Sequence, residues 1–316
     1  MKYPLFLCFL FFSIILFSQK KFSKEISFIT DNDLYVSKVK DRYYTSGIFL
    51  SYRYLSKTKK ENQEKKIFEW QIGHKMFTPF KAVVRSISAH DRPFASYLYG
   101  SFGIDRIYKN NTILNTTLQI GVVGPNAFGQ EIQDFIHNIY GFDKAIGWKY
   151  QIKNAFGFNF NSQYTQFLVK DASNYYDITW INSAKIGTVK TNISSGFYAR
   201  LGLKPLAKII NSIAFKTNLN NENNNFKREI ESFFYMKPFV RYAFYDATIQ
   251  GSFLNRYSEV TKELIPLVFN LELGLKFTAN RFHFGYVYNY NTNKSKNLRK
   301  DNGNNYGTIA VHYLLH

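Results

Sequence analysis

Apolar residues recur at every second position along much of the chain. In Arg281 to Asn291 the even positions are Phe282, Phe284, Tyr286, Tyr288 and Tyr290, and the odd ones are Arg281, His283, Gly285, Val287, Asn289 and Asn291. Successive strand residues point to opposite faces, so this segment carries one aromatic face and one that is mainly small or polar. Residues 154–161 repeat the pattern, with Phe156, Phe158 and Phe160 against Ala155, Gly157, Asn159 and Asn161. Near the C-terminus Ile309, Val311 and Tyr313 oppose Thr308, Ala310 and His312. In 44–54, Tyr44, Ile48, Leu50, Tyr52 and Tyr54 oppose Thr45, Gly47, Ser51 and Arg53, while Ser46 and Phe49 break the rule.

Extended over the chain, the alternation predicts strands at roughly 24–36, 43–55, 66–76, 94–108, 112–123, 146–163, 174–189, 192–203, 234–249, 262–277, 280–292 and 304–315. A soluble sandwich also alternates, but its buried face favours aliphatic residues. Here the chain holds 32 Phe and 24 Tyr with only 3 Trp, and the opposite face carries Arg, Asn and Gly. That is the pattern of a transmembrane barrel, apolar toward lipid and polar toward the lumen. Hydrocarbon tolerates no unpaired sheet edge, so the sheet must close. The expected fold is an all-β, closed antiparallel barrel of about twelve strands, with both termini on the periplasmic side. The long segment 204–232 fits badly, because it falls where periplasmic turns are usually short.

Residues 1–18 read as an export signal, with Lys2 ahead of an apolar run from Leu5 to Phe17 and small or polar residues at Ser18 and Gln19. The remainder, 19–316, reads as one barrel domain. Cys8, the single cysteine, falls in that leader, so no intrachain disulfide is possible. No stretch reaches the ~18 apolar residues of a helical span.

One segment changes period. From Gln130 to Tyr140 the apolar residues Ile132, Phe135, Ile136, Ile139 and Tyr140 recur at three and four, which predicts an amphipathic helix in an extracellular loop. Gln133 and His137 then share one face of it. Other polar residues gather at the same outer strand ends: Thr30-Asp31-Asn32-Asp33, Asp41 to Gly47, Phe77-Thr78-Pro79-Phe80-Lys81 and Asp91 to Ala95. Taken alone, the acidic run also suits an Asx-rich turn and His137 suits a solvated loop.

These segments together resemble the outer-membrane lipid A 3′-O-deacylase family of the LpxR type. The resemblance rests on Asn32-Asp33, Asp41-Arg42-Tyr43-Tyr44-Thr45-Ser46-Gly47, Asp91-Arg92-Pro93-Phe94-Ala95, Gly121-Val122-Val123-Gly124-Pro125, and Gly129-Gln130-Glu131-Ile132-Gln133 with His137. It covers residues 24 to about 150 in order and spacing; the later strands match only as barrel pattern. It implies a calcium-dependent hydrolase that removes the 3′ acyloxyacyl chain of lipid A at a site between the barrel wall and the loop helix. The functional positions implied are Asn32, Asp33, Thr45, Gln133 and His137, with the family's lysine falling on Lys81 ahead of Lys75.

The residue types support such chemistry on their own. An imidazole can take a proton from water near neutral pH. A hard divalent cation such as Ca2+, held by oxygens of Asn32 and Asp33, would polarise an ester carbonyl. Thr45 or Lys81 could donate to the developing oxyanion. No Gly-x-Ser-x-Gly elbow supports a serine nucleophile.

The formal charge of +19 has two readings. Arg42, Lys81, Arg85 and Arg92 could attract lipopolysaccharide phosphates, whereas Lys57, Lys59, Lys60, Lys65 and Lys66 cluster in an expected periplasmic turn, which points to compositional bias. The expected partners are lipid A in the outer leaflet and the outer membrane itself, with no nucleic acid, and the expected state is a monomer. The rival readings are a non-enzymatic channel or structural barrel, and another outer-leaflet esterase or phospholipase.

Overall fold

The structure, a computed structural model, describes residues 21–36, 42–81, 83–222 and 230–316. Residues 1–18, expected to be an export signal and containing Cys8, and Asp41 of the second motif lie outside them.

Twelve antiparallel strands form one closed barrel in which each strand pairs with its chain neighbours and the first with the last. They are β1 (Lys24–Asn32), β2 (Tyr43–Leu55), β3 (Gln63–Thr78), β4 (Ala95–Tyr108), β5 (Thr112–Val123), β6 (Ala155–Lys170), β7 (Tyr176–Gly187), β8 (Lys190–Gly202), β9 (Ser232–Asp246), β10 (Leu267–Ala279), β11 (Phe282–Asn291) and β12 (Asn304–Leu315). Closure is direct: Lys24 to Asn32 of β1 run opposite Leu315 to Gly307 of β12. Every expected strand is present and in order. The strand expected at 146–163 moves most, running from 155 to 170, because Trp148–Tyr150 form a 3-10 turn, and the one expected from 262 starts at 267. β9 ends at Asp246, whose carboxylate caps the short helix Ala247–Gln250.

The alternation sets the two faces of the wall. Phe156, Phe158, Phe282 and Leu50 point out and are exposed, as do Trp70, Ile72, Leu118 and Ile120 on neighbouring strands. Inward positions carry Arg53, Glu69, Asp105, Lys185, Lys237 and Glu272, several of them lining an internal polar cavity of about 540 Å³. One prediction is corrected in β2. The ladder slips between Tyr44 and Ser46, and a bulge of this kind turns side chains to the other face. Tyr44 therefore enters the lumen, where its hydroxyl donates to Asp31 Oδ2 at 2.6 Å and its ring packs with Phe49, Tyr97 and Tyr99. Thr45 is left on the outward face of the wall, where it is buried.

Both ends of the lumen are packed. At the outer end, Tyr44, Phe77, Tyr97, Val189 and Ala247 form a core across the interior. At the other end, the long segment that fitted periplasmic turns poorly folds back inside: Lys65 Nζ donates to Asn211 Oδ1 (3.0 Å) and to the Thr217 carbonyl (2.7 Å), Arg53 bonds the Lys216 carbonyl, and Ile209 and Leu219 pack on Ile67, Ile107 and Ile113. Lys65 is thus a buried lumen residue and not part of a solvated turn. The segment is long because it fills the barrel.

Candidate active site

The outward row of β3 continues past the exposed Ile72 into three residues that are buried: His74, Met76 and Thr78. What covers them is the connection between β5 and β6. His74 Nε2 lies 2.8 Å from the Ala127 carbonyl, and Met76 packs with Phe94, Ala145, Trp148 and Ile132. The connection carries α1 (Gly129–Tyr140), the helix the changed periodicity predicts. Its first residue must be glycine, since a Cβ on Gly129 would lie 2.6 Å from Ser96 Cβ on β4 and from the Trp148 ring. Gly141, at φ 67°, ends the helix in the left-handed conformation that side chains disfavour.

The helix presses a polar pair against the wall. Gln133 is 2% exposed and His137 is 4% exposed, whereas Phe135, Ile139 and Tyr140 face away. Gln133 Oε1 accepts the Trp148 indole N–H at 2.6 Å, and the indole packs on Phe94 with ring centroids 4.9 Å apart. His137 Nδ1 lies 2.5 Å from the Asp143 carbonyl, which can only accept, so the ring proton sits on Nδ1 and Nε2 is the acceptor nitrogen of the neutral ring.

Three adjacent strand ends supply the wall side. Thr45, thrown outward by the bulge in β2, has its hydroxyl 2.6 Å from that of Thr78 on β3. Tyr43, just before it, adopts φ 61°, an uncommon conformation for an aromatic residue. Its hydroxyl holds it there by donating to Asp91 Oδ2 and accepting from the Lys300 amide, both at 3.0 Å. On β1, Asn32 pairs in register with Ser46 and points outward. Its Oδ1 accepts the Leu34 amide at 2.8 Å, capping a 3-10 turn that begins at Asp33. The Asx turn and the candidate site therefore use the same residue. Asp33 is buried, and its Oδ2 accepts the Arg42 amide at 2.8 Å. Strand parity would have set Asn32 and Asp33 on opposite faces, but the strand stops between them.

Lys81 is not gathered in. It is exposed just past the end of β3, while Lys75 points into the lumen with Nζ 5.5 Å from the Phe49 ring. Thr78, in the same Phe77-Thr78-Pro79-Phe80-Lys81 run, is the residue that meets Thr45. Trp148 is the other member that residue patterns did not single out. Its only signal was rarity, as one of three tryptophans.

The basic rim also needs correction. Arg92 is buried, bonds the Pro93 carbonyl and Thr248 Oγ1, and lies over the Phe77 ring at 4.5 Å. Burial pulls its guanidinium down to about 10, and it faces no solvent phosphate. Arg42 remains near the surface with its guanidinium 4.2 Å over Phe80, and burial together with Arg42 holds Lys300 below the usual lysine range.

Such a polar site clamped between barrel wall and loop helix is the arrangement that the sequence resemblance implied. The family model described as outer membrane protein LpxR matches residues 5–315. The chain belongs to the LpxR family. Among solved structures, LpxR from Salmonella typhimurium superposes with a TM-score of 0.74 at 19% identity, covering 92% of this chain and 100% of that one. The β domain of the Bordetella autotransporter BrkA gives 0.49 at 7% identity, covering 93% and 99%. No curated protein matches the sequence. This LpxR-family barrel is accordingly a protein of the bacterial outer membrane, and its family is that of the lipid A deacylases.

Among the described residues no three His, Cys, Asp or Glu side chains group to hold a metal. The oxygens at the strand ends, Asp33 with Asn32, Thr45 and Thr78, are nonetheless hard donors of the type that suits calcium and not zinc. A cation there would take one carboxylate and otherwise neutral oxygens.

Proposed function

We propose that this barrel hydrolyses the ester linking the 3′ acyloxyacyl chain to lipid A, working as a monomer, with His137 as general base. The observation that supports the reading is the burial of Gln133 and His137 on α1, whose loop covers the outward row of β3 that ends at Thr78, the partner of Thr45.

With Nδ1–H committed to the Asp143 carbonyl, Nε2 of His137 takes a proton from water as the oxygen attacks the ester carbonyl carbon. The tetrahedral oxyanion is met by hydroxyl and amide donors from Thr45, Thr78 and Gln133. Collapse breaks the bond to the sugar oxygen, and His137 returns its proton to that leaving alkoxide. The products are the free acyloxyacyl carboxylate and the 3′-hydroxyl sugar. Asp33 and Asn32 would hold a divalent cation of the calcium class, which supplies a full positive charge beside the ester oxygen when bound. Burial of the site excludes competing water.

Mass spectrometry of lipid A from cells carrying the wild-type chain or His137→Ala tests this. The wild type should convert lipid A to a species lacking the 3′ acyloxyacyl group, and the variant should not. Intact lipid A with newly formed lysophospholipid would replace this reading with that of a phospholipase.

A further inference from the structure

The helix α1 is amphipathic in an unusual sense. Residues of a helix advance by about 100° each. On that wheel Gly129, Gln133 and His137 form the face against the wall, and all three are buried. The next sector holds Gln130, Asp134, Asn138 and Glu131. The remaining sector holds Phe135, Ile139, Ile132 and Ile136, of which Phe135 and Ile139 are 66% and 64% exposed. A helix on a water-soluble protein buries its apolar stripe against the core. This one buries its polar pair and presents its apolar stripe outward.

Position along the wall says what meets that stripe. The helix starts on Ser96 of β4, which pairs with Met76 of β3. On the same outward row Ile72 is exposed, four residues toward the membrane centre, or about 14 Å at ~3.4 Å per strand residue. Ile120 of β5 is likewise exposed. The lipid-facing band of the barrel therefore runs up to the underside of the helix. Phe128, immediately before α1, and Ile87 and Ile146 in the adjoining loops extend the exposed apolar surface around it.

We infer that α1 is an interfacial helix, bedded by Phe135 and Ile139 among acyl chains of the outer leaflet, with Asp134 and Asn138 toward the headgroups and water. Such a helix lies in the membrane plane with its apolar face sunk into the acyl boundary. Its third face then brings Gln133 and His137 to the leaflet's own level, so that a lipid ester reaches them sideways from the membrane without leaving it. The bedding stands apart from the hydrolytic reading, because it is measured without turnover.

The test uses the full chain with Cys8→Ser, refolded into phospholipid vesicles, carrying Ile139→Cys or Asn138→Cys with a nitroxide label. Power-saturation electron paramagnetic resonance should give an oxygen-to-nickel-chelate accessibility ratio about tenfold higher at 139 than at 138, as for a label in hydrocarbon beside one in water. Phe135→Cys should match 139, which covers a failure of one variant to give the heat-shifted gel band of a folded barrel. Equal access of the nickel chelate at 135, 138 and 139 would overturn the inference. Shielding from both reagents with dipolar broadening would also overturn it, since a second copy of the chain would then cover the face.

Discussion

Trp148 holds Gln133 in one orientation. An indole is only a donor, so the 2.6 Å bond fixes the amide oxygen on the tryptophan and turns Nε2 elsewhere; that nitrogen is buried with no hydrogen-bond partner among the described residues. A buried donor without a partner costs about 1–3 kcal/mol, which a bound oxyanion would relieve. Trp148→Phe should keep the ring packing on Phe94 while freeing the amide. Lipid A turnover should fall about tenfold, through kcat more than KM, with the folded gel band retained; unchanged kcat would show the bond to be structural only. His137→Ala should lower turnover by ~10²–10⁴ in an equally stable barrel, the usual contribution of a positioned base. His137→Gln should do the same, since it keeps a hydrogen bond but takes no proton. A loss of activity that tracked a loss of folded protein would instead make His137 a packing residue. Chelation should abolish hydrolysis and calcium restore it, if Asp33 and Asn32 hold the cation; full activity after rigorous chelation would leave the oxyanion to hydroxyl and amide donors alone.

At the scale of elements, the segment that fills the periplasmic end is tied down by buried charge. Arg200 on β8 bonds both carboxylate oxygens of Asp177 (2.9 and 2.6 Å), Glu231 (3.3 Å), Ser212 Oγ (2.7 Å) and the Ala207 carbonyl (3.0 Å). Glu231 in turn accepts the Ile213 amide at 2.6 Å. Removing one partner of such a network strands the others without water, at about 3–5 kcal/mol. Arg200→Met should thus release the segment and make residues 203–222 susceptible to protease added from the periplasmic side, while the strands stay folded. If they remain protected, the apolar contacts of Ile209, Ile213 and Leu219 hold the segment alone. The same element occupies the periplasmic end of the barrel's interior.

For the whole molecule, the two wall faces should respond oppositely to charge. Leu118 lies midway along β5 and faces lipid, and Thr117 beside it lines the polar cavity. Leu118→Arg should cost about 2–4 kcal/mol of folding stability in vesicles, the range for arginine near the bilayer midplane, and Thr117→Arg far less. Urea unfolding followed by tryptophan fluorescence would measure both; equal costs would contradict the assignment of faces.

Period-two alternation with aromatic residues on one side was enough to determine twelve strands, their order and which face meets lipid, because a strand's faces follow from its own covalent geometry. The period change at Gln130 likewise determined the helix and the shared face of Gln133 and His137. Tertiary structure decided what depends on contacts between distant segments. The bulge after Tyr44 is set by the pairing of β2 with β3, and it alone sends Thr45 outward to Thr78 instead of inward with Arg53. Lys81 and Thr78 stand three residues apart in one motif, and only the end of β3 separates an exposed side chain from a buried one. Arg92 looked like a surface cation and Lys65 like a turn residue, yet each lies buried against a carbonyl or hydroxyl more than a hundred residues away, in contacts that no local pattern encodes.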